Sequence, residues 1–275
     1  MPAVVRPPAV AGRFYPADPA ALGALVDRLL AAVPVPAGEP LAPAYVVPHA
    51  GYRYSGPTAA HVYARLAVRA GQVRRVVLVG PAHYVPVRGC VVPAAPAWRT
   101  PLGEVPVDDA GRAAVGLVAD DEPFAPEHSL EVQLPFLQRV LPPGVPVLPV
   151  LAGVSTVDEV AAVLARLVEV GGAGTTIVCS TDLSHYLNQP AAQAQDARTA
   201  AAITDLAPER IGTRDACGVF ALRGMLGWAR RTGLRASVLH RCTSADTAGQ
   251  PERVVGYCAC AVEPGGPPAT RRPAD

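Results

Sequence analysis

The 275-residue sequence contains no lysine; all 24 of its basic residues are arginine. That absence removes the Schiff-base and P-loop lysine chemistries, and with them many kinase-type readings. Net charge is nearly absent too, at 24 basic against 23 acidic residues and a formal +1. Nothing in that balance draws the chain to nucleic acid or to an anionic membrane. Neither a glycine-rich phosphate loop nor a Gly-x-Ser-x-Gly elbow occurs, which argues against nucleotide enzymes and the common serine hydrolases. The six cysteines (Cys90, Cys179, Cys217, Cys242, Cys258 and Cys260) form no Cys-x-x-Cys pair. They are too sparse for a disulfide framework, so buried free thiols are expected. The one uncharged stretch of membrane-spanning length, Val140–Val157, is broken by Pro142, Pro143, Gly144, Pro146, Pro149 and Gly153. At the N-terminus Pro2, Pro7 and Pro8 interrupt any apolar signal-peptide region. A cytoplasmic protein with no membrane and no nucleic-acid partner is the expectation.

What is present is a core. Half of the residues are hydrophobic and 17% charged, with a mean hydropathy of +0.24, which is incompatible with disorder along the whole chain. Short β-branched runs alternate with longer helical ones, the pattern of a βαβ architecture with a largely parallel, buried sheet. Strands are expected at Ala44–Val47, Val76–Val79, Val145–Leu151, Thr175–Cys179, Ala236–His240 and Val254–Val262. Asp18 followed by Pro19 opens a helix to about Ala32, and Gly56-Pro57 after Ser55 opens another. Thr156-Val-Asp-Glu159 is a capping box before an apolar run to Val170, and later helices are expected over Gln193–Asp205 and Cys217–Arg231. No repeat and no linker divides the chain. One α/β domain over residues 1–263 is expected, a mostly parallel sheet flanked by helices, with a disordered tail over residues 264–275.

Ligands of open α/β sheets bind beyond the carboxyl ends of the strands. Three of the six histidines fall there: His49 after Tyr45-Val-Val-Pro48, His83 after Val76-Val-Leu-Val-Gly80, and His185 after the run ending at Cys179. Each is followed within a few residues by tyrosine (Tyr52, Tyr84, Tyr186). Imidazole is neutral and ligating near pH 7, so three histidines on one edge point to a metal or acid–base site rather than to isolated turn residues. His128 opens a helix whose start also accounts for Glu127 and Ser129; His61, inside a helix, and His240, inside a strand, have structural explanations. The turn Arg99–Glu104, ahead of Asp108 and Asp109, either lines a pocket or caps a helix. Cys258 and Cys260 share one face of a strand and are expected in the core.

These residues lie in strings that resemble the Memo family, known in bacteria and archaea as AmmeMemoRadiSam system protein B. The strings are Pro7-Pro-Ala-Val-Ala-Gly-Arg-Phe-Tyr-Pro16, Pro48-His-Ala-Gly-Tyr-x-Tyr-Ser-Gly56, Gly80-Pro-x-His83, Thr100-Pro-Leu-Gly103 and Glu127-His-Ser-Leu-Glu-Val-Gln-Leu-Pro-Phe136. Ser180-Thr-Asp-Leu-Ser-His-Tyr186, Ala216-Cys-Gly218 and Val254-Val-Gly-Tyr257 follow in order. The resemblance implies a single α/β domain similar to class III extradiol dioxygenases, which hold non-haem iron through two histidines and a carboxylate. His49 and His83 then correspond to the histidine ligands and His185 to the catalytic acid/base; Asp182 is a further catalytic candidate and, beside Asp246, an alternative carboxylate for the triad. Candidate pocket residues are His128, Tyr52 and Cys242.

The third ligand departs from the pattern. Animal members supply a cysteine shortly before the last strand, where this chain has Thr247, with Cys242 earlier. Asp246 takes the place, Cys242 reaches it by a local shift, or water fills it; Asp246 is the preferred ligand, because hard oxygen donors suit an open Fe(II) site. The competing reading of Asp246 is a turn leading to Gly249. Iron is the expected metal, with copper or zinc as alternatives. The function so implied is a dioxygenase-like protein acting on a small molecule alongside radical-SAM and AMMECR-type partner proteins. A rival is a non-catalytic module that uses the same cleft for a peptide or small anion and needs no metal. The chain lacks the Cys-x-x-x-Cys-x-x-Cys motif, so it is not itself the radical-SAM enzyme.

Overall fold

The computed structural model describes residues 4–265. In chain order it runs α1 Pro19–Ala31, β1 Ala44–Val47, α2 Tyr52–Val68, β2 Arg75–Gly80, β3 Cys90–Val92, β4 Ala97–Thr100, β5 Gly103–Pro106, α3 Asp109–Val115 and β6 Val118–Ala119. There follow α4 Leu134–Val140, β7 Val147–Ala152, α5 Val157–Gly171, β8 Thr175–Ser180, β9 His185–Leu187, α6 Gln189–Thr204, α7 Val219–Arg231, β10 Leu234–Thr243 and β11 Val254–Pro264. The main sheet has the order β10-β11-β1-β8-β2-β7-β3-β6, with β9 pairing to β11, while β4 and β5 form a separate hairpin.

The four central strands, β1, β8, β2 and β7, are mutually parallel. All but Arg75 of their residues are buried, as expected for strands covered by helices on both faces. Outside that centre the sheet is mixed. β11 runs antiparallel to β1 and β10, and β3 antiparallel to β7. A short connection between consecutive strands returns the chain alongside itself, which produces the antiparallel β10–β11 pair.

Caps account for most helix starts. Asp18 Oδ1 accepts from Ala21 N at 2.8 Å, and Thr156 and Glu159 form the expected capping box of α5. The second helix does not open at Gly56-Pro57. It starts at Tyr52, whose N–H donates to Phe14 O at 2.7 Å, and Pro57 sits in its second turn, where only one backbone donor is forgone. His128 likewise precedes its helix, lying in the loop before the 3-10 turn Glu131–Gln133. The short strands β3 to β6 and β9 were not anticipated. At two to four residues each they are too short for a readable alternation. β11 extends through Pro264, and the expected tail lies, from residue 266 on, outside the described residues.

Helices α5 and α7 pack closely because α7 carries glycine where the two meet. A Cβ on Gly224 would run into the Cβ of Val160, and one on Gly227 into Val157 Cγ1. Alanine is favoured over glycine in a helix by about 1 kcal/mol, yet Gly224→Ala is expected to destabilise, by about 1–3 kcal/mol, because the clash falls on a branch point with no rotamer to yield. Chemical denaturation checks the sign.

Candidate metal centre

The loops after β1, β2 and β8 open into one cavity of about 1150 Å³ whose wall includes His49, His83, Asp182 and His185. His49 follows β1 by two residues and is buried. Its tautomer follows from hydrogen-bond accounting. Ser180 Oγ, at the end of β8, donates to Ser129 O at 2.6 Å and accepts from Gln133 Nε2 at 2.9 Å. Having one proton and having used it, Ser180 accepts from His49 Nδ1 at 3.0 Å. The Nε2 lone pair of His49 therefore points elsewhere, to Cys217 Sγ at 3.2 Å. Burial, followed by the neighbouring histidines His83, His128 and His185, holds His49 well below its usual pKa, so it is a neutral donor.

His83 is fixed by a carboxylate. Its Nδ1 lies 2.9 Å from Glu127 Oε1, and its backbone N–H donates to Glu127 Oε2 at 2.6 Å. Burial would raise Glu127, but hydrogen bonds from the His83 ring, the His83 backbone and Ser129 outweigh it and hold this carboxyl down to about 2. An ionised partner on Nδ1 leaves Nε2 of His83 as the free ring nitrogen. Cys217 sits just ahead of α7, where its Sγ accepts from Asp182 N at 3.3 Å. Burial, then the charge of Asp182, pushes the thiol up to about 12, so without a cation it stays protonated and donates to His49. One ligating atom from each of His49, His83 and Cys217 falls within 4.8 Å of the others.

Around this group lie the remaining histidines of the cleft. His128 stacks on His83 at 4.8 Å between centroids and stands 5.5 Å from His49; burial, opposed by Glu127, pushes it down to about 4. It forms a second candidate group with His83 and Glu127. Asp182 accepts from His49 N at 2.7 Å, and burial, opposed by that bond, lifts its carboxyl to about 6. His185 donates Nδ1–H to Leu183 O at 2.8 Å, leaving Nε2 as its basic nitrogen.

The structure removes Asp246 from the donor set. Its carboxylate accepts from Thr243 N and Thr243 Oγ1 at 2.7 and 2.8 Å and from Gln189 Nε2 at 2.8 Å. It caps the 3-10 turn Ser244–Asp246 and is no part of the cavity wall. Cys242 does not reach the cleft either, because its Sγ lies 3.1 Å from Thr58 Oγ1 beside His240. Tyr52 is buried below the site, donating to Val132 O at 2.6 Å, and does not line the cavity. Cys217, one of the thiols expected to be buried and free, is the third candidate donor beside His49 and His83. The Ala216-Cys-Gly218 string carried the signal, but only the fold shows that this connection turns back over β8, with Cys217 N donating to Asp182 O at 3.2 Å.

The N-terminal segment is clamped beneath the site. Glu131 is fully buried and accepts from Arg6 Nη1, Ala9 N, Val10 N and the Tyr15 hydroxyl at 2.6–3.0 Å. Arg6 also donates to Phe124 O and Glu127 O and stacks over Trp98 at 4.2 Å.

Fold and site together define an α/β protein with a histidine-lined cleft at the carboxyl ends of its parallel strands. Residues 6–261 match the profile of the family described as Memo-like protein, and the chain belongs to that family. It is 35% identical to a MEMO1 family protein of Methanopyrus kandleri, covering 92% of this chain and 97% of that one. Identity to the Aeropyrum pernix MEMO1 family protein is 37%, over 94% and 99% of the two chains. An uncharacterised Escherichia coli K12 protein of known structure shares the fold with a TM-score of 0.55 at 16% identity, over 82% of this chain and 100% of that one.

The clamp on His83 gives a direct expectation. If the cleft holds a metal, Glu127→Gln should weaken its binding by about 10–100-fold, because a neutral amide neither raises imidazole basicity nor fixes the tautomer as an ionised carboxylate does. Competition with a chromogenic chelator measures this.

Proposed function

We propose that the cleft is a metal centre held by His49, His83 and Cys217, in a dioxygenase-like protein that acts on a small ligand alongside a radical-SAM system. One observation carries the reading. Both rings have Nδ1 tied to built-in partners, Ser180 and Glu127; His49 Nε2 faces Cys217 Sγ at 3.2 Å, and one ring nitrogen of each histidine lies within 4.8 Å of that thiol and of the other ring's. Two imidazoles suit iron, zinc and copper, and a thiolate widens the choice toward the softer metals; the family resemblance favours iron. Bound there, the ion would supply Lewis acidity and open positions for ligand.

The chain's own groups divide the remaining work. His49 stays neutral, and both His49 and His83 are held in orientation by their Nδ1 partners. His185, anchored through Nδ1, offers Nε2 to take a proton from a substrate hydroxyl. Asp182 holds the His49 backbone and the Cys217 loop in register. Aromatic side chains of Phe14, Tyr54 and Tyr84 line the cavity.

The test is anaerobic reconstitution of the full chain with Fe(II), Zn(II) and Cu(I) separately, followed by dialysis, elemental analysis and oxygen uptake over a panel of catechols. Retained iron with oxygen uptake is the expected result. Retained metal without uptake would remove the dioxygenase-like activity and leave the metal centre. Co-purification with a radical-SAM protein tests the partnership.

A further inference from the structure

Tyr186 has a backbone that its side chain should refuse. Its φ is 62°, in the left-handed region that favours glycine. It falls between two pairs of the β9–β11 ladder, His185 with Val255 and Leu187 with Val254, so it is the extra residue of a β-bulge. Glycine is the usual occupant of such a left-handed bulge position, and bulges beside active sites re-aim side chains. Here the residue is 63% exposed, so core packing does not explain why a tyrosine is held this way. The ring lines the cavity mouth and carries the Arg253 guanidinium on its face at 4.3 Å.

Charge at that mouth has one sign. Arg253 and Arg214 both line the cavity, and the one acidic side chain in its wall, Asp182, is 4% exposed and lies at the floor. Among the described residues neither arginine makes an ion pair. Gln195 fixes the Arg214 loop by donating to Arg214 O and Asp215 Oδ1 at 2.8 and 3.0 Å. Two arginines without acidic partners over an aromatic-walled cavity match a ligand with a planar body and an anionic group.

We propose that Tyr186 and Arg253, with Arg214, form the specificity element of the cleft and select a small planar organic anion. This rests on the reading of the cleft as the ligand site, but not on the presence of a metal. Carboxylate and phosphate share the chemistry, so the probes are benzoate, phenyl phosphate and the neutral benzyl alcohol. Each is titrated calorimetrically into chelator-treated full-length protein. At least one acid is expected to bind about tenfold or more tightly than benzyl alcohol. Arg253→Gln should remove about that factor, the worth of one charge-assisted hydrogen bond, and leave benzyl alcohol unchanged. Tyr186→Asn should weaken all bound probes while holding or raising the melting temperature, because asparagine tolerates the left-handed backbone.

Three outcomes overturn the inference. The first is no acid binding to wild type. The second is acid binding that ignores Arg253→Gln and appears only in metal-loaded protein, which would place the anion on the metal. The third is a fall in melting temperature of Tyr186→Asn with probe binding intact, which would make the bulge structural. Metal content is measured separately, so a wild type without metal would end the proposed centre and leave the benzoate result standing.

Discussion

Cys217→Ala protein, reconstituted and dialysed in parallel with wild type, is expected to retain no metal above background, and His49→Ala and His83→Ala are expected to do the same. The three proposed donors come from three separate loops, and removing any one leaves a pair that cannot close a coordination shell. None of the three anchors a strand or fills the apolar core, so circular dichroism should show each variant folded. Asp246→Ala and Cys242→Ala are the informative controls. Both should keep wild-type metal content, because one carboxylate caps a turn and one thiol faces Thr58. The reverse pattern, with metal lost from Asp246→Ala and kept in Cys217→Ala, would restore the carboxylate ligand expected from the sequence.

The largest stability effect is expected at the N-terminal clamp. Arg6 and Glu131 are 5% and 0% exposed and pair at 2.7 Å. Truncating either one leaves the other buried and charged, which costs about 3–5 kcal/mol. At about 2–4 °C per kcal/mol for large domains, Arg6→Ala or Glu131→Ala should lower the melting temperature by roughly 6–20 °C. Many buried pairs can be replaced by an apolar pair at little cost. This one should not be, because Glu131 also satisfies Ala9 N, Val10 N and the Tyr15 hydroxyl. Arg6→Met/Glu131→Leu is therefore expected to stay close to the worse single variant in thermal unfolding. A double variant as stable as wild type would mean that the ion pair alone matters.

The readable parts of this chain were those where local pattern and tertiary place coincide. The four central strands are rich in apolar residues because both faces are covered, and a run such as Val76-Val-Leu-Val79 shows it without any knowledge of neighbours. His49, His83 and His185 were found for a related reason, since a turn directly after such a run must lie at the strand's carboxyl end. Cys217 follows no strand. Its place depends on how the chain between α6 and α7 crosses β8, which no spacing encodes. The Glu127–His83 pair joins residues 44 positions apart and is equally silent. Asp246 is different, because its competing reading as a turn residue leading to Gly249 already gave it a backbone role, and in the fold it caps the turn Ser244–Asp246.

The position of β1 has a consequence for how the molecule comes into being. β1 lies between β8 and β11 in the sheet, so this strand is flanked by two that leave the ribosome well over 100 residues later. Its backbone donors and acceptors on the β11 side have no partner until residue 260 and its neighbours have been synthesised. Loop closure over more than 200 residues must precede that pairing, which favours slow folding and a long-lived exposed edge. Vectorial synthesis therefore leaves the nascent chain with an apolar strand to shield, and a stop codon anywhere before β11 would leave the edge of β1 permanently open.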